Sequence, residues 1–162
     1  KQVDELTGLI NRRKIITLGE KAIVCAQKKN KEFNILLFSI DNYKEIILQS
    51  SNDSRKELIK LAAEFGTKCL KINESFARFS ENEFLVLFDS ENTQRSIEFS
   101  QQLHKLIAAY PWGNTNTQVF SVRVGNATIN NNNQQSFSSL VKNAKLSLKH
   151  TRQQAPYIGD LP

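Results

Sequence analysis

The chain has 162 residues, 40% of them apolar, which is enough for one domain with a substantial core that needs no disulfide staples. No apolar run approaches the about 20 residues that span a bilayer, and no charged start followed by an apolar run and a cleavage site opens the sequence. The formal charge of +6 comes from basic residues scattered over helical patterns without a DNA or RNA motif, so solvated helix faces are expected rather than a nucleic-acid surface.

In chain order, Asn11 can cap a helix running to about Lys31, with Ile15, Leu18, Ala22 and Cys25 as its buried stripe. Phe33 to Asp41 follows as a strand, too continuously apolar to have one wet face and so central in its sheet. It ends on a carboxylate at the edge where open α/β sheets place ligands. A short helix spans Asn42 to Ser50. After a loop at Ser51-Asn52-Asp53, a second helix buries Leu58, Leu61, Ala62, Phe65 and Cys69 and ends near Leu70.

Phe76 to Phe88 reads as a hairpin whose apolar halves flank the polar turn Ser80-Glu81-Asn82-Glu83, where a site could be built. A helix from Thr93 to about Tyr110 carries Ile97, Leu103, Leu106 and Ile107 and is stopped by Pro111 and Gly113. Gln118 to Ile129 is a strand with Phe120, Val122 and Val124 facing the core and Ser121 and Arg123 facing away. Gly125 within it predicts a bulge or a close backbone approach. Asn130 to Gln135 is a polar loop, and the last helix, Phe137 to about Gln153, buries Leu140, Val141, Ala144 and Leu148. The order after the first helix is βααββαβα, an α/β sandwich.

Cys25 and Cys69 lie in helical patterns without paired or metal-ligand spacing and read as buried thiols in a reducing cytoplasm. His104 and His150 have no second ligand at metal spacing and read as surface or boundary residues. No phosphate-loop or dinucleotide fingerprint occurs.

Five segments resemble a known family. Asp4 to Arg13 (DELTGLINRR) is close to the opening Asp-x-Leu-Thr-Gly-Leu-x-Asn-Arg-Arg of GGDEF domains, the diguanylate cyclase family. Ser39 to Lys44 (SIDNYK) resembles its Asp-Ile-Asp-x-Phe-Lys, and Arg78 to Phe84 (RFSENEF) stands where the signature Arg-x-Gly-Gly-Asp/Glu-Glu-Phe falls. Ser121 to Ala127 is similar to the family's late strand, and Leu140 to Arg152 to its final helix. The resemblance implies a mainly antiparallel, nucleotidyl-cyclase-like sheet flanked by helices, with residues 1–157 as the domain, 1–5 as the end of a connector and 158–162 as a linker towards a further domain, often of the EAL phosphodiesterase type.

In the resembled family two GTP molecules are joined into cyclic di-GMP, with Mg²⁺ held by the first Asp of Asp-x-Asp and the acidic third residue of the signature. Here those positions hold Ser39 and Asn82, a hydroxyl and a neutral amide facing a cation that wants hard anionic oxygen. The signature glycines, which let phosphates approach the backbone, are Ser80 and Glu81. The guanine-reading Asn and Asp positions hold Ile47 and Lys56. Asp41, Glu83 and Phe84 match, and Lys44 and Arg152 fall at positions of phosphate contacts, the companion Arg of the latter being Pro156. The product-inhibition motif Arg-x-x-Asp reads Lys71 to Glu74, keeping the signs but not the planar fork of Arg.

These replacements imply a domain without cyclase activity, metal or cofactor, acting as a regulatory or interaction module towards other domains of its chain or a signalling partner. A homodimer is compatible with the family habit, and neither GTP nor cyclic di-GMP is expected to bind well. A GTP sensor using Lys44 and Arg152 is the alternative, followed by an active cyclase with Asp41 and Glu83 as substitute ligands. The domain is expected to be cytoplasmic, and the start at Lys1 leaves room for a membrane anchor in a longer parent protein.

Overall fold

The structure is a computed structural model that describes residues 2–89, 92–115, 117–130 and 135–150. Four strands form one antiparallel sheet in the order β2-β3-β1-β4, where β1 is Phe33–Ile40, β2 Ser75–Arg78, β3 Glu83–Leu87 and β4 Val122–Ile129. Among the described residues five helices cover it: α1 Arg12–Lys28, α2 Tyr43–Leu48, α3 Asn52–Lys68, α4 Gln94–Ala109 and α5 Phe137–His150. A 3-10 turn, Trp112–Asn114, follows α4.

All eight positions of β1 are buried, as a continuously apolar strand flanked by partners on both edges and covered on both faces must be. Alternation along it feeds two cores. Leu36, Phe38 and Ile40 join Leu58, Phe65, Phe99 and Leu103 under α3 and α4, while Phe33, Ile35 and Leu37 join Ile15, Ile23, Leu140 and Ala144 under α1 and α5. Phe84 belongs to the first core, fully buried and stacked on Phe38 with ring centroids 5.0 Å apart.

Helix starts follow local chemistry. The Asn11 side chain accepts from the Lys14 amide at 2.9 Å and the Ser51 hydroxyl oxygen accepts from the Ser54 amide at 3.1 Å, each satisfying one orphan amide of a first turn. The opening segment is folded onto the domain: the Asp4 carboxylate accepts from the amide and hydroxyl of Thr7 at 3.0 and 2.7 Å and meets Arg78 at 3.4 Å.

Several expectations are corrected. The strand predicted from Gln118 begins at Val122. Its partner β1 ends at Ile40, opposite Val122, and the chain then turns through Asn42 at φ +55°, leaving residues 118–121 without a strand to pair; only the Asp41 amide reaches across to the Ser121 carbonyl, at 2.8 Å. Cys25 is exposed rather than buried, because the inward stripe of α1 is Ile15, Gly19 and Ile23. Ile97 is likewise exposed; Phe99, Leu103 and Ile107, spaced four apart, face the core instead. His104 is buried, with Nδ1 2.8 Å from the Ser100 carbonyl of its own helix.

Of the two readings of Gly125, close approach is the one found. A Cβ there would collide with the Ala144 carbonyl and the Leu148 amide nitrogen, so α5 lies directly on the β4 backbone. The Asn130 to Gln135 loop falls mostly outside the described residues, as do the end of the last helix beyond His150 and the expected linker.

Candidate functional site

The signature turn and the end of β1 meet because β3 pairs with β1. Ser39 lies opposite Glu83 of β3 on one side and opposite Arg123 of β4 on the other, so the three side chains share one face of three adjacent strands. The turn is anchored to β1 by its backbone, the Ile40 amide donating to the Asn82 carbonyl at 3.1 Å, with the Asn82 side-chain amide 3.5 Å from the Ile40 carbonyl. From Asn42, in the left-handed region that Asn tolerates better than most residues, the chain enters α2 and forms the outer wall.

Between these elements lies a cleft of about 440 Å³. Ser39, Lys44, Ile47, Glu81, Asn82, Tyr43 and Arg123 are among its lining residues. Four of the sequence-derived site residues, Ser39, Lys44, Glu81 and Asn82, are thus brought together. Two that the sequence reading did not single out, Tyr43 and Arg123, decide the cleft's electrostatics.

Arg123 reaches from β4 to Asp41. Its Nε donates to Oδ1 at 2.7 Å and its Nη2 lies 2.6 Å from the same oxygen, with only 20% and 7% of the two side chains exposed. The Asn42 amide donates to that oxygen as well, at 3.1 Å. Asp41, two residues after Ser39, is therefore engaged by a guanidinium. Glu83 is also occupied: Ser80 donates its hydroxyl to Oε1 at 2.8 Å, and Lys145 Nζ from α5 lies 3.8 Å away.

Glu81 crosses the mouth. Tyr43 donates its hydroxyl to Glu81 Oε2 at 2.6 Å, and Arg55 of α3 lies 3.9 Å from the same oxygen. Burial pushes the Tyr43 phenol well above its ordinary value, and the bond to Glu81 adds to the shift. The Glu81 carbonyl is held by Arg78 Nη2 at 2.8 Å, and Arg78 in turn meets Asp4. A turn that glycines would leave open to phosphate is here tied by the Glu81 side chain to α2 and α3, and by its carbonyl, through Arg78, to the opening segment.

Residues 1–156 match the family model for the diguanylate cyclase, GGDEF domain. The chain belongs to the GGDEF family. This GGDEF domain is 27% identical over 149 residues to the cyclic di-GMP phosphodiesterase NbdA of Pseudomonas aeruginosa, a match covering 92% of the domain and 19% of that protein, so the chain spans about a fifth of that relative's length. In fold it is similar to the FimX GGDEF domain from Pseudomonas aeruginosa, with a TM-score of 0.85 at 16% identity over 96% of each chain. It is equally similar to the GGDEF domain of DgcB from Caulobacter crescentus, solved in complex with c-di-GMP, with a TM-score of 0.84 at 17% identity over 95% of this chain and 91% of that one.

Two further site residues of the GGDEF domain, Lys71 and Glu74, lie apart from the cleft. Lys71 and Glu74 precede β2, at the end away from the signature turn; the Lys71 backbone amide donates to Glu74 Oε1 at 2.8 Å, but the two side chains have different ionic partners. The Glu74 side chain is 4% exposed and gripped by both prongs of Arg95, Nε at 2.5 Å and Nη2 at 2.7 Å, while Lys71 Nζ lies 3.6 Å from Glu98. Arg95 also donates to the Cys69 carbonyl at 2.7 Å, which makes this pair a clamp on the end of α3. Arg152 lies outside the described residues.

Tyr43 carried no separate sequence signal beyond its place in the Ser39 to Lys44 motif. Arg123 did: a charged residue in an otherwise apolar strand, on the face turned from Phe120 and Val122, needed a partner. Which carboxylate would supply it depended on strand register.

Proposed function

We propose that this GGDEF domain synthesises no cyclic di-GMP and works as a regulatory or interaction module in a larger cyclic di-GMP signalling protein. The observation carrying this reading is Arg123. A guanidinium occupies the wall where the resemblance expects a divalent cation, and it engages Asp41, one of the two carboxylates that an active cyclase would use as substitute ligands. At the two positions where the resemblance expects the metal ligands stand Ser39 and Asn82, both neutral, so that donor pair does not fit Mg²⁺, which takes hard and usually anionic oxygen; of the cleft's carboxylates, Glu45 and Glu81, the latter is bonded to Tyr43. Glu81 at the mouth adds a negative charge facing any incoming triphosphate.

Family membership and the NbdA match support placement in cyclic di-GMP signalling, and the small share of NbdA that is matched supports a role beside other domains, an EAL-type phosphodiesterase domain foremost. Incubation with GTP and either Mg²⁺ or Mn²⁺, followed by chromatography, tests the reading: no cyclic di-GMP is expected, and its steady accumulation would refute it. A GTP-sensing role is the second reading, favoured by a cleft of about 440 Å³ with Lys44 on its wall. Calorimetric titration separates the two, since micromolar GTP binding selects the sensor.

A further inference from the structure

We propose that the domain carries a second ligand site, an apolar cavity on the opposite side of α2 from the signature cleft, shaped for a small planar molecule without negative charge. The cavity has a volume of about 650 Å³, within the range that holds small organic ligands. Its inner surface is made by Ile46 of α2, Ile107 of α4, and Phe120 and Val122 where the chain enters β4, all buried in the domain.

Trp112 forms an aromatic wall. Its ring is fixed edge-on to Phe120 at 5.3 Å between centroids, and its indole N–H donates to the Ile107 carbonyl at 2.9 Å. A rigid aromatic wall over an aliphatic floor favours a flat apolar ring, since stacking and edge contacts add to simple burial. The mouth lies at Ala108 and Val119, the latter 61% exposed. Residues 118–121 leave this space because, as the register shows, they have no strand to pair with.

Charge sets the ligand class. Among the described residues no lysine or arginine lines this cavity; its carboxylates are Asp41, already paired with Arg123, and the exposed Glu45, and His104 of α4 also borders it. An anion entering a mostly apolar space whose nearest guanidinium is already taken by Asp41 loses hydration without gaining a counter-charge, which disfavours nucleotides and favours uncharged or cationic rings. The site does not depend on whether the signature cleft is active. Its occupant nevertheless touches α2, the helix that also carries Tyr43 and Lys44 into the cleft, and so has a direct route to the signature turn.

Trp112 is the only tryptophan of the chain and makes the test specific. Titrating the 162-residue chain with the neutral dye N-phenylnaphthylamine is expected to give saturable energy transfer from Trp112, with the sulfonated analogue anilinonaphthalene sulfonate binding about tenfold more weakly or worse. Ala108→Phe, at an exposed helical position on the mouth, is expected to weaken the neutral dye by about tenfold with an unchanged melting curve. Ile72→Ser, at an 89% exposed apolar residue far along the chain, is expected to change nothing. Absence of saturable transfer, equal binding of the sulfonated dye, or indifference to Ala108→Phe in a folded variant would each overturn the proposal.

Discussion

Arg123 on β4 and Asp41 just beyond β1 form a nearly buried ion pair in which two guanidinium nitrogens converge on one carboxylate oxygen, at 2.6 and 2.7 Å. The register that sets Arg123 beside Ser39 delivers a positive charge to the wall of the signature cleft. Removing one partner leaves the other buried and uncompensated. Arg123→Ala is therefore expected to cost about 3–5 kcal/mol in urea unfolding, and the double variant Asp41→Asn with Arg123→Met to recover most of it. A double variant no more stable than Arg123→Ala would contradict the pairing.

The same register predicts the outcome of an attempt to rebuild the metal site. Ser39→Asp with Asn82→Asp places one new carboxylate directly opposite Arg123, which captures it. Mn²⁺ binding followed by electron paramagnetic resonance is expected to stay weak in that variant and to tighten when Arg123→Ser is added. Tight binding without the third change would show that Arg123 does not govern the site.

The Tyr43 hydroxyl donates to Glu81, and burial keeps the phenol protonated well past its ordinary value. A folded-state value raised above the unfolded one means that the contribution to stability is complete below about pH 10 and lost as the pH climbs beyond it. Wild-type stability is expected to fall more steeply than that of Tyr43→Phe above this point, while at neutral pH the variant is weaker by about 0.5–1.5 kcal/mol. Parallel curves for the two proteins in alkaline denaturation would exclude the bond.

Thiol labelling should separate the two cysteines. Burial pushes the Cys69 thiol up to about 11, partly offset by Arg95, and its Sγ donates to the Phe65 carbonyl at 3.3 Å, whereas Cys25 is exposed on α1. At pH 8 the native protein is expected to release one equivalent of thionitrobenzoate promptly and the second only on unfolding. Two equally fast thiols would place Cys69 at the surface.

Glu74 and Lys71 are expected to differ sharply despite their shared place in one short motif. Glu74→Gln breaks the buried clamp with Arg95 and should cost about 3 kcal/mol or more, while Lys71→Ala removes a surface contact worth about 0.5 kcal/mol or less. Thermal melts give the comparison, with about 2–4 °C expected per kcal/mol for a chain of this size. Similar losses at the two positions would argue against the clamp.

Much of this domain was legible along the chain because its signals are local. The buried run of β1, the Asn11 and Ser51 caps and the four-residue spacing of core residues in α3 depend on neighbours within a few positions, where strand and helix periodicities act. The motif residues Ser39 and Asn82 could be set side by side from family resemblance alone.

What the chain did not disclose depends on contacts between residues far apart in sequence. Arg123 lies 82 positions from Asp41, and only the antiparallel register joins them. The Tyr43 hydrogen bond to Glu81 spans 38 positions, and the pairing of Arg95 with Glu74 joins a helix to a distant turn. The exposed state of Cys25 and the buried state of His104 likewise rest on how the helices rotate against the sheet. Sequence specified the elements and their order, because propensity and periodicity are short-ranged; the tertiary structure alone assigned each charge its partner, because the energy of a buried charge is set by what folding brings beside it.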